Sequence, residues 1–159
     1  MKTRTVKTRR RSPHGRRAPR RVRTPRTPTR SMLKAMAALA IEARERAQAP
    51  YSGFRVGAAL KTRNGEIVTG CNIENASYGL TMCAERVAVF KAVSEGLSDF
   101  DAVAVAADSR RLTPPCGPCR QILWEYCGDI TVHLVDLKGR SRTLRLSRLL
   151  PLPFDSGHL

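Results

Sequence analysis

The stretch TPPCGPCRQ, residues 113–121, places two cysteines three positions apart, between prolines and at the start of a predicted helix. Pro118 suits the first turn of that helix, because the first backbone N–H groups of a helix have no partner within it. Cysteines at this spacing occur in redox dithiols, in structural zinc sites and in working metal centres. The stretch alone leaves these three alternatives open.

A third cysteine lies upstream in the sequence CAER, residues 83–86. It precedes Cys116 by 33 residues and also stands at the start of a predicted helix. A structural zinc site has four protein ligands, whereas a catalytic site has three and leaves the fourth position to water. Since the chain has no second closely spaced cysteine pair, the pattern favours an open site made by Cys83, Cys116 and Cys119.

The charge around such a site decides whether it can activate water. Three thiolates leave Zn²⁺ with a net charge of about −1, which opposes lowering the pKa of bound water to about 7. Two helix N-termini offset part of that charge, since each carries roughly half a positive charge. Arg86 is placed to donate hydrogen bonds to the thiolates. Glu85 shares the first turn with Cys83 and is expected to lie near the metal without binding it.

The hydrophobic pattern predicts five strands and three longer helices. The strands cover residues 54–62, 66–74, 101–107, 130–136 and 142–146. The helices cover residues 31–49, 83–95 and 116–127, and a short helix follows at 147–151. Ser31 is the predicted N-cap of the first helix, and Pro50 stops it. Because strands alternate with helices, we predict an α/β fold with one mixed sheet and helices on both faces.

Four further residues have plainer interpretations. Cys71 and Cys127 are predicted to be small buried apolar side chains, and Trp124 to be part of the core. His133 is predicted to be half-exposed on its strand. None of the three histidines stands in an HxE arrangement, so none is expected to compete for zinc.

The positive charge of the chain is concentrated at its N-terminus. Residues 1–30 hold 13 of the 29 Lys and Arg residues and no acid, which leaves 16 basic and 13 acidic residues in 31–159. This basic tail, residues 1–30, is predicted to be disordered, because it is rich in proline and offers almost nothing apolar to bury. It is either a solvated extension, with Met32 as the next available initiator, or a non-specific contact for polyanions. Its prolines argue against a transit peptide.

The composition also indicates a cellular setting. No apolar run approaches the roughly 20 residues needed to cross a bilayer, so we expect no membrane association. An odd number of cysteines, five, without an apolar signal segment argues against a secreted disulfide framework. We therefore expect a cytoplasmic protein with one folded domain, residues 31–159.

Four motifs together resemble the cytidine deaminase family, specifically its short, three-cysteine, homotetrameric type. The motifs are PYSGFRVGAAL, GCNIENASYG, CAER and PCGPCRQ, and the resemblance runs from about residue 31 to residue 154. It implies a three-layer α/β/α fold and one Zn²⁺ per subunit, held by Cys83, Cys116 and Cys119. It also implies a proton-shuttling role for Glu85. The implied reaction is hydrolytic deamination of free cytidine and deoxycytidine to uridine and deoxyuridine, a step of pyrimidine salvage.

The resemblance also implies the substrate contacts. Asn72 and Glu74, two residues apart on one face of a predicted strand, would bind the ribose hydroxyls. The carboxylate of Glu74 would repel a 3′-phosphate, which favours a free nucleoside over nucleic acid. Phe54 would pack on the base, although an ordinary core aromatic would fit the same position. Tyr78 and Phe154 match positions that reach a neighbouring subunit's site.

Two other functions account for parts of the sequence. A deaminase of the same fold that acts on a modified nucleoside, such as blasticidin S, or on nucleic acid is disfavoured by the intact NIEN sequence. A zinc-stabilised nucleic-acid-binding module that uses the basic tail is disfavoured because a fourth ligand is missing and because residues 31–159 are nearly neutral.

Overall fold

The structure, a computed structural model, describes residues 27–159, which contain one five-stranded sheet. The strands are β1 (Val56–Thr62), β2 (Ile67–Cys71), β3 (Phe100–Ala107), β4 (Thr131–Val135) and β5 (Ser141–Arg145). Their order in the sheet is β2-β1-β3-β4-β5. β3 and β4 are parallel, and the other three neighbouring pairs are antiparallel. The predicted mixed sheet is therefore confirmed.

Within the described residues, three α-helices cover the two faces of the sheet. They are α1 (Arg30–Arg44), α2 (Ala84–Ser94) and α3 (Gly117–Cys127). Successive side chains of a strand point to opposite faces, so β3 serves both layers. Met36 and Ala40 of α1 pack with the even-numbered alanines of β3, whereas α2 and α3 pack with Val103 and Val105. This is the predicted α/β fold with helices on both faces.

Two glycines let helices lie directly on strands. A Cβ atom on Gly57 of β1 would stand 2.0 Å from the carbonyl oxygen of Ala40 in α1. A Cβ atom on Gly70 of β2 would stand 2.5 Å from the carbonyl oxygen of Ala84 in α2. Because the obstructing atoms are backbone, any side chain would push the helix off the sheet. Gly70 therefore sets how closely the N-terminal turn of α2 approaches the sheet.

The bounds of α1 and β2 differ from the predicted ones. The N-cap of α1 is Thr29 rather than Ser31, because the Thr29 hydroxyl accepts the backbone N–H of Met32 at 3.3 Å. α1 ends at Arg44, since the following N–H groups bind carbonyls only three residues back. β2 ends at Cys71: the N–H of Asn72 makes the last backbone hydrogen bond to β1, at the carbonyl of Val56, and the following bonds pass to residues 48 and 82.

Three smaller predictions also need correction. The predicted helix at 147–151 is a single 3₁₀ turn, Leu146–Arg148. His133 is buried rather than half-exposed, and its Nδ1 lies 2.8 Å from the hydroxyl of Thr143 on β5. Cys71 is only half-buried, and its thiol donates to the carbonyl of Arg46 at 3.4 Å.

The predictions for the basic tail fall mainly on residues 1–26, which lie outside the described residues. From residue 27 onward, no helix combines the length and the apolar character needed to cross a membrane.

Candidate metal centre and active site

α2 and α3 begin at one point of the molecule. Cys83 is the N-cap of α2, and Cys116 is the N-cap of α3. Cys119 lies in the first turn of α3. The two helices are neighbours, since the rings of Phe90 and Tyr126 meet edge to face with centroids 6.2 Å apart. The two cysteine motifs, 33 residues apart in sequence, therefore meet in space.

The three thiol groups have the spacing of a metal site. The sulfur of Cys116 lies 3.7 Å from that of Cys83 and 3.4 Å from that of Cys119. Tetrahedral zinc with Zn–S bonds of about 2.3 Å requires sulfurs about 3.8 Å apart. Within residues 27–159, no fourth Cys, His, Asp or Glu belongs to this group. The donor set fits a zinc ion with one coordination position that the described protein does not fill.

Hydrogen bonds make the three thiols unequal. The pKa of Cys83 is lowered to about 5, mainly by a hydrogen bond from the Cys119 thiol, although desolvation raises it. The hydrogen bond and the positive charge of Arg86 contribute to this lowering of the pKa. The same Cys83–Cys119 hydrogen bond, together with desolvation, raises the pKa of Cys119. The guanidinium of Arg86 is held in place by the carbonyl of Thr81, to which Nη2 donates at 2.9 Å. The same Nη2 lies 3.7 Å from the sulfur of Cys83.

Glu85 is a buried carboxyl group beside the thiols. It is the second residue of α2 and is 4% exposed. Burial raises the pKa of Glu85 to about 7, and the negative charge of Cys83 contributes to this rise. Hydrogen bonds from the Glu85 backbone N–H and from the Cys119 thiol oppose this shift only in part. A carboxyl group with such a pKa can both accept and donate a proton near neutral pH. The site thus combines a metal-binding group with a proton carrier.

Asn72 and Glu74 both direct their side chains at the segment that leads into β1. The Asn72 amide accepts from the N–H of Val56 and donates to the carbonyl of Phe54, each at 2.8 Å. The Glu74 carboxylate accepts the backbone N–H of Tyr51 at 2.8 Å, the N–H of Ser52 at 3.2 Å and the Ser52 hydroxyl. The Ser52 hydroxyl bond lowers the pKa of Glu74 in spite of desolvation, with help from the two backbone bonds. Glu74 is therefore a fixed, ionised carboxylate.

The three predicted aromatic contacts are all solvent-exposed in the described chain. Phe54 is 40% exposed, Tyr78 66% and Phe154 59%. Phe154 stacks on His158 with ring centroids 5.1 Å apart, and its carbonyl accepts from Gln121 at 2.6 Å. None of the three rings is therefore buried in the core of the single chain.

The sequence interpretation missed three residues that hold the site's surroundings. Ser52 fixes Glu74, while Arg120 and Gln121, directly after Cys119, reach carbonyl groups far along the chain. Polar residues on one face of a helix usually indicate a solvated surface. The only signal was the position of Arg120 and Gln121 next to a predicted ligand.

Comparison with known proteins agrees with this geometry. Residues 30–134 match the family model described as the cytidine and deoxycytidylate deaminase zinc-binding region. A cytidine deaminase of Halalkalibacterium halodurans is 55% identical over 118 residues, which are 74% of this chain and 89% of that protein. A blasticidin-S deaminase of Bacillus cereus is 35% identical over 107 residues, covering 62% of this chain and 76% of that one.

Solved structures show the same architecture. The crystal structure of a cytidine deaminase from Burkholderia pseudomallei superposes with a TM-score of 0.74 at 44% identity, covering 76% of this chain and 98% of that one. A cytidine deaminase from Mycobacterium tuberculosis gives a TM-score of 0.68 at 39% identity, over 77% and 96% of the two chains. With the family's zinc-binding region and its fold both present, this chain belongs to the cytidine deaminase family.

Proposed function

We propose that this protein catalyses the zinc-dependent hydrolytic deamination of free cytidine and deoxycytidine, with release of ammonia. The observation that carries this proposal is the meeting of three cysteine sulfurs with a buried carboxyl group whose pKa is raised to about 7. The similarity to cytidine deaminases over most of the chain supports the choice of substrate.

Cys83, Cys116 and Cys119 would hold the zinc ion. When bound, zinc supplies a Lewis acid that makes a water molecule acidic enough to act as a nucleophile near neutral pH. Glu85 would take up one proton of a water molecule and deliver it to N3 of the cytosine ring, while the remaining hydroxide adds to C4. Glu85 would then carry the proton of the new C4 hydroxyl to the amino group, so that the C4–N bond breaks, C4 becomes a carbonyl and ammonia leaves. Arg86 withdraws negative charge from the Cys83 sulfur.

The sugar and base contacts follow the geometry around β1. Glu74, held by the Ser52 turn, would accept a hydrogen bond from a ribose hydroxyl. Asn72 uses its amide oxygen and one N–H to fix residues 54–56, which leaves its second N–H for the sugar. Phe54, at the end of this turn, would pack on the base. A carboxylate at Glu74 disfavours a phosphate at the 3′ position and therefore disfavours polynucleotides.

We further propose a homotetramer in which neighbouring subunits complete each site. The exposure of Tyr78 and Phe154 supports this arrangement, because both side chains stay more than half exposed within one described chain, Phe154 in spite of its stacking on His158. A cytoplasmic location fits a site that needs reduced cysteines, and a role in pyrimidine salvage fits the two proposed nucleoside substrates. For the basic tail, non-specific polyanion binding stays a prediction, tested by comparing DNA binding of the full chain and of residues 27–159 at low and high salt.

The test of the main proposal is direct. The purified chain should contain one zinc per subunit and convert cytidine and deoxycytidine, followed by ultraviolet absorbance. Glu85→Gln should retain the zinc and lose turnover. Zinc-loaded protein that leaves both nucleosides unchanged would refute the proposal, and turnover of blasticidin S alone would move the substrate to a modified nucleoside. Loss of zinc together with activity in Glu85→Gln would remove the role given to that residue.

A further inference from the structure

Arg120 joins two distant parts of the chain at the metal centre. It directly follows Cys119 in the first turns of α3. Its Nε–H donates to the carbonyl of Pro115 at 2.7 Å, and its Nη1 donates to the carbonyl of Leu149 at 2.9 Å. Pro115 immediately precedes Cys116 and is fully buried. One guanidinium therefore holds both the peptide that leads into a proposed zinc ligand and the start of the chain's last segment.

The last segment, residues 149–155, depends on α3 for its position. Leu149 and Leu150 still donate to the carbonyl of Leu146, but among the described residues no backbone-to-backbone hydrogen bond fixes residues 151–154. A side chain of α3 contacts this segment instead. Gln121 donates to the carbonyl of Phe154 at 2.6 Å. The segment is thus attached to the helix whose N-terminus carries Cys116 and Cys119.

We propose that Arg120 is a positioning residue that couples the zinc-binding loop to this last segment. The inference rests on the proposed zinc site. A bound ion fixes Cys116 and with it the Pro115 carbonyl, which holds Arg120 in the orientation that also binds Leu149. By thermodynamic reciprocity, whatever orders the segment through Arg120 also stabilises the metal-bound loop. Because the segment carries Phe154, the same coupling links metal binding to an aromatic side chain proposed to complete a neighbouring site.

The chemistry of the contact requires arginine. A planar guanidinium presents several N–H donors in a fixed fork and can bind two carbonyls from different elements at once. A lysine carries the same charge on a flexible stem and has no such fork. Arg120→Lys should therefore lose part of the effect, and Arg120→Gln should lose most of it.

The experiment uses the full chain in its zinc-loaded and zinc-free forms. Zinc affinity is measured by competition with a chromophoric chelator, and hydrogen exchange of residues 149–159 is measured by mass spectrometry. In the wild type, removal of zinc should speed exchange in this segment. Arg120→Gln should weaken zinc binding by roughly ten- to a hundredfold, as expected for residues that orient metal ligands, and should make segment exchange independent of zinc.

Two matched variants separate coupling from general damage. Gln121→Ala removes only the contact to Phe154 and should speed local exchange while zinc affinity stays within about twofold of the wild type. Arg142→Gln, on the exposed strand β5, should change neither property. Circular dichroism checks folding, and Arg120→Lys provides the measurement if Arg120→Gln does not fold.

Each result decides a different question. A wild type that binds no zinc refutes the proposed function and this inference with it. A wild type that binds zinc, beside an Arg120→Gln chain with the same affinity, refutes the inference alone. The inference alone is also refuted if zinc does not change hydrogen exchange of the segment in the wild type, or if Arg120→Lys matches the wild type in both measurements.

Discussion

Substitution of Gly70 by alanine should damage the metal centre from a strand that contains no ligand. The new Cβ would lie 2.5 Å from the carbonyl oxygen of Ala84 and 2.6 Å from the backbone nitrogen of Ala88. Both atoms belong to the backbone of α2, so no side-chain rotation relieves the contact. The helix must move away from β2.

The size of that movement follows from ordinary contact distances. Relief to 3.4 Å requires α2 to shift by about 0.9 Å, and overpacking of this kind costs typically about 1–3 kcal/mol. Cys83 is the N-cap of α2 and moves with it, whereas Cys116 and Cys119 stay with α3. Zinc sites tolerate deviations of only about 0.2 Å in ligand distance. We therefore expect Gly70→Ala to weaken zinc binding at least tenfold, beyond its effect on stability.

Chelator competition gives the zinc affinity, and urea titration of the zinc-free chain gives the free energy of unfolding. Val135→Ala is the matched control, because Val135 is buried against α1 on the opposite face of the sheet. It should lose about 2 kcal/mol of stability without a change in zinc affinity. If Gly70→Ala loses stability but binds zinc like the wild type, the position of α2 does not set the site geometry. If Gly70→Ala keeps both its stability and its zinc affinity, the close approach of Gly70 to α2 does not restrict the residue at this position.

Three further predictions concern the rest of the described domain. The Lys61 ammonium lies 3.0 and 3.1 Å from the two Asp101 oxygens in a buried pair, so Asp101→Ala should lower the free energy of unfolding, measured by urea titration, by about 3–5 kcal/mol. Lys61→Met combined with Asp101→Leu should lower it by less, because no buried charge is left unpaired, and equal losses would contradict this. Burial lowers the pKa of His133, so as the pH falls the unfolded chain takes up the imidazole proton at a higher pH than the folded chain does. The free energy of unfolding should therefore fall as the pH drops below about 6.5, and it should fall less steeply in His133→Gln. Parallel pH profiles of the two chains would refute the assignment. Free zinc at a thousand times its Kd should stabilise the folded chain by about 4 kcal/mol relative to the zinc-free chain. A thermal midpoint that is the same with and without zinc would argue against zinc binding in the folded state.

The cluster of three cysteines could be predicted from the sequence because its signals are local. Cys83 and Cys116 each stand where a helix begins, and helix starts are marked by neighbouring residues such as Pro118. Glu85 follows from the same turn. The type of each element was also predictable, since the apolar strand β3 and the helices α2 and α3 have clear lengths and patterns.

What the sequence did not predict are contacts between residues far apart in the chain. The obstruction at Gly70 exists only because α2 crosses β2, and the pair of Lys61 and Asp101 exists only because β1 lies beside β3. Arg120 reaches Leu149, 29 residues away, so nothing in its neighbourhood indicates that contact. Even the bounds of α1 depended on whether Thr29 or Ser31 supplied the N-cap, two chemically equivalent choices.

The meeting of the two cysteine motifs is itself a consequence of strand direction. β1 is antiparallel to both of its neighbours, β2 and β3, so β2 and β3 run in the same direction. β3 and β4 are parallel as well. Each of α2 and α3 therefore connects strands of equal direction and must run back along the sheet, which puts both helix N-termini at the edge where β2 and β3 end. Both helices pack on the same face, so Cys83 and Cys116 must come together there. Reversing β2 alone would place the start of α2 at the opposite edge of the sheet from the start of α3, which explains why a strand that contributes no ligand matters to the metal centre.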